Sequence, residues 1–325
     1  MSKLTEDPLY RDLAKLRRSP RLGKIFRLYE EQNRGVLKEN SRSLQGKIWS
    51  KYLSAYENER ADRMSPLLFI KDVLSDPLDN GHYSSAILAT RLMVSLLNFA
   101  VAIGVLKTNP LATIWNLPLL KKADRLSKAV TAHRPCFAYD TAKSQLKSLI
   151  KKFSSECLRR QFLLQISLRT LLRPAEVVSL KISDLDCAKH QITARNTKTR
   201  TEFIIPTDAK LEEILINAHR LYGSEYSGYI LSGYRNPKDH LSAQTMNRAL
   251  KDCGYQGCLC VHGIRTLGRN FFSAHTKEVP PYISEAILQH VPSKVERAYR
   301  RDDDYLMQLR FAMRLWWDYL NALMP

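Results

Sequence analysis

Five polar features in the second half of the chain are of types that suit a phosphodiester transition state: Arg173, Lys198, the tetrad His262-Gly263-Ile264-Arg265, His290 and Tyr299. An arginine at a helix terminus can project a forked cation into a cleft. A lysine at a turn carries a flexible ammonium that can deliver a proton. In the tetrad, His262 and Arg265 stand three residues apart, so they share a face if the segment opens a helix. The positive end of the helix dipole would then add to their attraction for phosphate. Singly, none of these is diagnostic. An arginine before proline is usually a surface residue, and a lysine in a turn is ordinary surface charge. His290 reads equally well as a buried structural histidine, and Tyr299 is one of fifteen tyrosines, most of which must be structural.

The elements that must position these residues are legible in outline. In SLRTLLRPAEVVSLKISDLD a helix should stop near Arg173-Pro174 and another begin with Glu176 in its opening turn. Helices are expected over residues 139–152 and 156–172, followed by a strand-rich interval from Ile182 to Pro206. There His190 to Asn196 alternates as a strand and Glu202 to Pro206 returns, which puts Lys198, with Arg195 and Arg200, near a hairpin tip. Helices resume to the end. This half is therefore expected to be an α+β, mainly helical catalytic domain with a small antiparallel sheet.

The first hundred or so residues show no alternating apolar pattern and read as all-α. One helix is expected over residues 43–57, and another opens at Ser65-Pro66, where serine caps and proline takes the first helical position. Asp79-Asn80-Gly81 makes a turn; Leu88, Leu92, Leu96 and Ala100 then line a long helix that Gly104 can end, and Pro110 forbids its continuation. From about Leu117 to Ala138 the periodicity lapses into a basic stretch, LKKADRLSKAVTAHRP. The expected organisation is thus a helical domain over residues 1–120, a basic linker over 121–138 that could lie along a phosphate backbone, and the catalytic domain over 139–325.

Across 325 residues, 51 Lys and Arg face 32 Asp and Glu, a formal charge of +19 that favours a polyanionic partner, nucleic acid first. No basic amphipathic anchor or lipidation signal argues for a membrane surface, and no apolar run reaches the roughly 20 residues of a membrane span; Leu92 to Leu106 reads as a buried helix. The opening MSKLTEDPLYRDL lacks the basic start and apolar run of a signal peptide, so a cytoplasmic location is expected. The six cysteines are too sparse for a disulfide scaffold. Cys253, Cys258, Cys260 and His262 have a spacing, C-x4-C-x-C-x-H, that matches no common zinc knuckle or ribbon. Asp302, Asp303 and Asp304 could suggest a metal nuclease, but consecutive side chains diverge, and acids before a helix serve as its cap and dipole partner. No Walker-type loop occurs, and no cofactor is expected.

What separates these features from chance is their order: Arg, Lys, HxxR, then His with Tyr nine positions later, in a strongly basic chain. In that order the sequence resembles the tyrosine recombinase (integrase) family. LRPAEVVSL looks like its first-arginine box, HGIR like its second, and LQH and VERAY like the end of its motif set. HGIR and the terminal RLWWDYL are most similar to integrases of satellite phages and genomic islands. The resemblance implies that Tyr299 attacks the scissile phosphate, leaving a 3′-phosphotyrosine and a free 5′-hydroxyl. Arg173 and Arg265 would hold the non-bridging oxygens, Lys198 would protonate the departing oxygen, His262 would assist proton transfer at Tyr299, and His290 would hydrogen-bond the phosphate.

The resemblance further implies a C-shaped clamp on double-stranded DNA sites, assembly into a tetramer on two duplexes, and a directionality factor or DNA-bending protein as candidate partners. Leu306, Leu309, Met313, Trp316, Trp317 and Leu320 form an apolar stripe near the C-terminus. It would pack on the chain's own core or, as in the family, dock on a neighbouring protomer. The satellite-phage subgroup usually carries an additional N-terminal arm-binding domain, for which this chain has only a short stretch. Four functions remain open at this stage: an integrase, a DNA invertase or resolvase of the same family, a type IB topoisomerase-like nicking-closing enzyme, and an inactive DNA-binding regulator.

Overall fold

The computed structural model describes residues 16–132, 135–138, 140–195, 202–289 and 302–323. The chain divides into two compact units, Met1–His133 and Arg134–Pro325. Every secondary-structure element described in the first unit is a helix. These include α1 (Leu22–Gln32), α2 (Glu39–Ile48), α3 (Tyr83–Ala102) and α4 (Pro118–Ala132). The helix expected over 43–57 begins earlier and loosens midway, α2 passing into a π-helical turn over Trp49–Leu53 and a 3-10 turn over Ser54–Tyr56. Ser65 caps as its spacing requires, its hydroxyl accepting from the Leu68 N–H at 3.2 Å, with Pro66 at the first helical position.

α3 is the centre of this unit. Its buried face is wider than one stripe and includes Ala86, Ile87, Ala89, Leu92, Met93, Leu96, Leu97 and Ala100, against which α1, α2 and α4 pack. By length and composition alone α3 could cross a membrane; here that apolarity closes a core, as all-round hydrophobicity does in a buried helix. Gly104 ends the run with φ +69°, a left-handed turn open to glycine at no steric cost.

One expectation is corrected here. Residues 121–132, taken from their charge as part of a linker over 121–138, lie in helix α4, which runs from Pro118 to Ala132. Leu120 and Ala123 are buried and Leu126 half-buried, a narrow apolar edge at three-residue spacing that the intervening Lys and Arg residues obscure. The Ser127 hydroxyl hydrogen-bonds that of Ser84 on α3 at 2.9 Å. The division between the units falls after this helix.

The second unit is mostly helical with one small sheet. Its elements are α5 (Ala142–Phe153), α6 (Leu158–Thr170), α7 (Pro174–Val178), β1 (Leu185–Asp186), β2 (Gln191–Arg195), β3 (Glu202–Pro206), α8 (Ala209–Tyr222), α9 (Thr245–Asp252), α10 (Val261–Ala274), α11 (Pro281–Ile287) and α12 (Asp302–Asn321). The sheet is antiparallel in the order β1-β2-β3, with Gln191 opposite Pro206 and Arg195 opposite Glu202. Ile192, Ala194 and Ile205 face the core, the period of two that the sequence displays.

α12 closes this core. Leu309, Ala312, Met313, Trp316, Trp317 and Leu320 are buried in it, so in this chain the terminal stripe packs on its own unit. The two indoles do more than fill space. The last carbonyls of a helix have no partner within it, and the Nε1–H groups of Trp316 and Trp317 donate to those of Leu168 and Arg169 at 2.8 and 2.9 Å. The C-terminal end of α6 is therefore held by α12. Replacing Trp316, 1% exposed and edge-on to Phe271 at 5.2 Å, with Ala should cost about 3–5 kcal/mol of unfolding free energy by urea titration. Trp316→Phe should cost less, about 1–3 kcal/mol, chiefly from the unsatisfied Leu168 carbonyl.

Candidate active site

The end of α6 is where the site begins. Leu171 leaves the helix with φ +52°, a left-handed conformation that costs a non-glycine residue of order 1–3 kcal/mol. It is held by packing: Leu171 is fully buried, and a Cβ on Gly268 of α10 would lie 2.5 Å from its Cδ1. Gly268 thus makes room for the Leu171 side chain. The reversal brings Arg173 to the N-cap of α7 in extended conformation (φ −67°, ψ 150°), as a residue before proline prefers.

Arg173 is fixed by Glu176. The Glu176 carboxylate accepts from the Arg173 backbone N–H at 2.9 Å and from its Nη1 at 3.0 Å, and Glu176 is itself fully buried. One acid therefore caps the helix and pairs with the guanidinium. Arg173 stays one-third exposed, so its outer edge remains accessible.

Arg265 approaches from α10. It lies in the first turns of that helix, 4% exposed, and its guanidinium donates to the Leu171 and Leu288 carbonyls. Its Nη1 also donates to the Gln289 side-chain oxygen at 3.2 Å, and that same oxygen accepts from Arg173 Nη1 at 3.3 Å. Two guanidiniums thus converge on one acceptor. Burial, and secondarily the Arg173 charge, pull the Arg265 pKa down to about 10, against the opposing pull of Glu176. Arg265 still carries its charge at neutral pH, so the site is a paired cation balanced by one buried carboxylate.

The rest of HGIR serves this placement. His262 is half-buried in the first turn of α10, three residues before Arg265. Gly263 is needed for close approach: a Cβ there would fall 2.2 Å from the Pro135 carbonyl, which accepts from the Cys260 N–H at 3.1 Å. Lys198, His290 and Tyr299 lie outside the described residues. Arg195, grouped by sequence with Lys198, is instead tied to Asp184 and Glu202 at 2.8 and 2.9 Å across the sheet.

Sequence reasoning placed Glu176 in the opening turn of α7 without its pairing role, and missed Leu171 and Gln289 altogether. The adjacency of Gln289 to His290 was the only signal for it. Among the described residues no group of three or more His, Cys, Asp or Glu converges as a metal site would; the Cys253 thiol instead donates to Glu156 at 3.4 Å. A cavity of about 750 Å³ lined by His190, Asp208, Arg310 and Trp317 includes neither Arg173 nor Arg265.

This constellation lies within residues 140–304, which match the phage integrase family model. The chain belongs to that family, the tyrosine recombinases. Over 158 residues it is 32% identical to the prophage integrase IntA of Escherichia coli strain K12; the match covers 48% of this chain and 37% of that protein. The chain thus spans little more than a third of that relative's length. Among solved structures, a lambda integrase dimer bound to a COC′ core site superposes with TM-score 0.64 at 18% identity, covering 86% of this chain and 77% of that one. A lambda integrase tetramer bound to a Holliday junction gives 0.62 at 17% identity, with coverage of 89% and 80%. The Tn1549 transposon integrase in complex with circular intermediate DNA gives 0.55 at 15% identity, with coverage of 88% and 98%. At these identities the likeness is one of fold.

The carboxylate can be tested alone. Glu176→Gln preserves shape and removes the carboxylate that, among the described residues, balances the two guanidiniums. It should cost about 2–3 kcal/mol in urea denaturation, below the range for fully buried pairs because Arg173 is partly solvated. Adding Arg173→Gln should recover part of the loss, a coupling that a double-mutant cycle reads directly.

Proposed function

We propose that this chain is a site-specific DNA recombinase that cleaves and rejoins double-stranded DNA through a 3′-phosphotyrosine, integrating or excising a mobile element. The observation that carries the proposal is the convergence of Arg173 and Arg265 on a single oxygen. Two forked cations meeting at one acceptor match the non-bridging oxygens of a phosphodiester, whose charge rises as a fifth oxygen approaches phosphorus. Membership of the phage integrase family supports the same reading.

In this scheme the Tyr299 oxygen attacks phosphorus and the bond to the 5′-oxygen breaks. Lys198 donates the proton that the departing oxygen takes up, while His262 assists removal of the Tyr299 proton and His290 hydrogen-bonds the phosphate. The phosphotyrosine preserves the bond energy, so a 5′-hydroxyl from another strand restores the backbone by the reverse step without an added energy source. The helical first unit acts as the second DNA-binding domain, and the net charge of +19 supplies the phosphate-directed part of affinity for both. Four protomers assemble on two duplexes, with a directionality factor or bending protein setting the outcome, in the cytoplasm where such DNA is accessible.

A nicked suicide substrate, from which the cleaved strand end diffuses away, tests the chemistry. The unmodified chain should accumulate a covalent protein–DNA complex, and Tyr299→Phe should form none. Arg265→Ala should lower the rate of its formation by roughly 10²–10³-fold. Covalent linkage in Tyr299→Phe would move the nucleophile elsewhere, with Tyr305, half-buried on α12, next in line. Relaxation of supercoiled DNA without joining of two duplexes would indicate a nicking-closing enzyme instead.

A further inference from the structure

The oxygen on which the two guanidiniums meet belongs to the protein. We propose that Gln289 is an internal stand-in for the scissile phosphate: its side-chain oxygen occupies the point where Arg173 and Arg265 meet before DNA binds, and a phosphate oxygen must displace it. This deepens the recombinase reading and rests on it. Three observations carry it.

The first is the shared acceptor. Gln289 Oε1 takes one N–H from Arg173 Nη1 at 3.3 Å and one from Arg265 Nη1 at 3.2 Å, the contacts that a non-bridging phosphate oxygen would take. An amide oxygen is a neutral acceptor, so these bonds are weaker than those to an anion, and exchange for phosphate is favoured. The second is the backbone. Gln289 follows α11 with φ +48°, a conformation favoured for glycine or asparagine at a helix end and unfavourable for glutamine. The third is an alternative hold on the segment that does not require the shared oxygen. The Leu288 carbonyl is taken by Arg265, and the Gln289 N–H donates to the Ala286 carbonyl at 2.9 Å. Withdrawing the Gln289 side chain would therefore release one donor from each guanidinium while the backbone of this turn stays in place.

A purely structural glutamine would behave differently. It would be needed to keep the arginines aligned, and its loss would weaken phosphate binding. A stand-in competes with phosphate, and its loss strengthens binding. Three variants separate these cases. Gln289→Gly removes the acceptor and suits the backbone. Gln289→Asn also suits the backbone and keeps the amide, but is one methylene too short to place its oxygen equivalently. Gln289→Glu converts the competitor into an anion.

Inorganic phosphate titrated into the full-length chain by calorimetry at fixed ionic strength reads the site without any cleavage step. Relative to the unmodified chain, Gln289→Gly and Gln289→Asn should bind phosphate about three- to tenfold more tightly, the equivalent of about one released hydrogen bond, and Gln289→Glu more weakly by at least as much. The gain should vanish in an Arg265→Ala background. The suicide substrate supplies the second arm: at subsaturating DNA, Gln289→Gly should form covalent complex faster than the unmodified chain. Phosphate affinity unchanged or lowered in both Gln289→Gly and Gln289→Asn overturns the proposal, as does a gain that survives Arg265→Ala. If phosphate binding follows the prediction but no variant and no unmodified chain becomes linked to DNA, the recombinase reading fails while the stand-in survives.

Discussion

The second unit is organised around an electrostatic difficulty: two guanidiniums are held a few ångströms apart, one of them nearly excluded from water. Like charges at that separation repel, and burial adds a desolvation cost that solvent no longer offsets. The fold answers with one buried carboxylate and a set of main-chain oxygens. Glu176 balances the charge; the Leu171 and Leu288 carbonyls and Gln289 absorb the donors. Arg265 remains protonated with its pKa reduced only to about 10, so its charge persists at neutral pH.

Those oxygens are available only because the backbone turns where it does. The Leu171 carbonyl faces Arg265 through a left-handed residue, and that residue is tolerated because Gly268 leaves space for its side chain. The end of α6 just before it is anchored by the two indoles of α12. Packing more than 140 residues away in sequence thus fixes the peptide that receives Arg265. Apolar burial provides most of the stabilisation, but the directional bonds decide where the cations lie.

Much of this arrangement was legible from local chemistry. Proline after Arg173 enforces an extended residue and a new helix start, and alternation in residues 191–195 and 202–206 is read correctly as a hairpin because the period of two is a backbone property. Where tertiary packing overrides local signal, the reading fails. α4 carries so many lysines and arginines that its narrow apolar edge, Leu120 and Ala123, is lost in the composition, although burying that edge on α3 is enough to make it a helix. Arg195 illustrates the same limit within the site: in sequence it is one more cation near Lys198, and only the register of β2 with β3 and the position of Asp184 show it to be paired. Gln289 was invisible for a related reason, since a side-chain oxygen becomes an acceptor for two arginines only when segments 24 and 116 residues away are folded against it.

The same network ties together the two described ends that flank residues 290–301. Residues 290–301 connect two described anchors: Gln289, bound to both guanidiniums, and α12, bound to the end of α6. Both anchors lead back to the corner between α6 and α7 that carries Arg173. Tyr299 stands three residues before Asp302, the first residue of α12, so the length of the covalent chain ties the proposed nucleophile to a helix whose register is set by Trp316 and Trp317. The tryptophans of the last helix therefore act at a distance: they set the register of α12 and hold the backbone corner that carries Arg173.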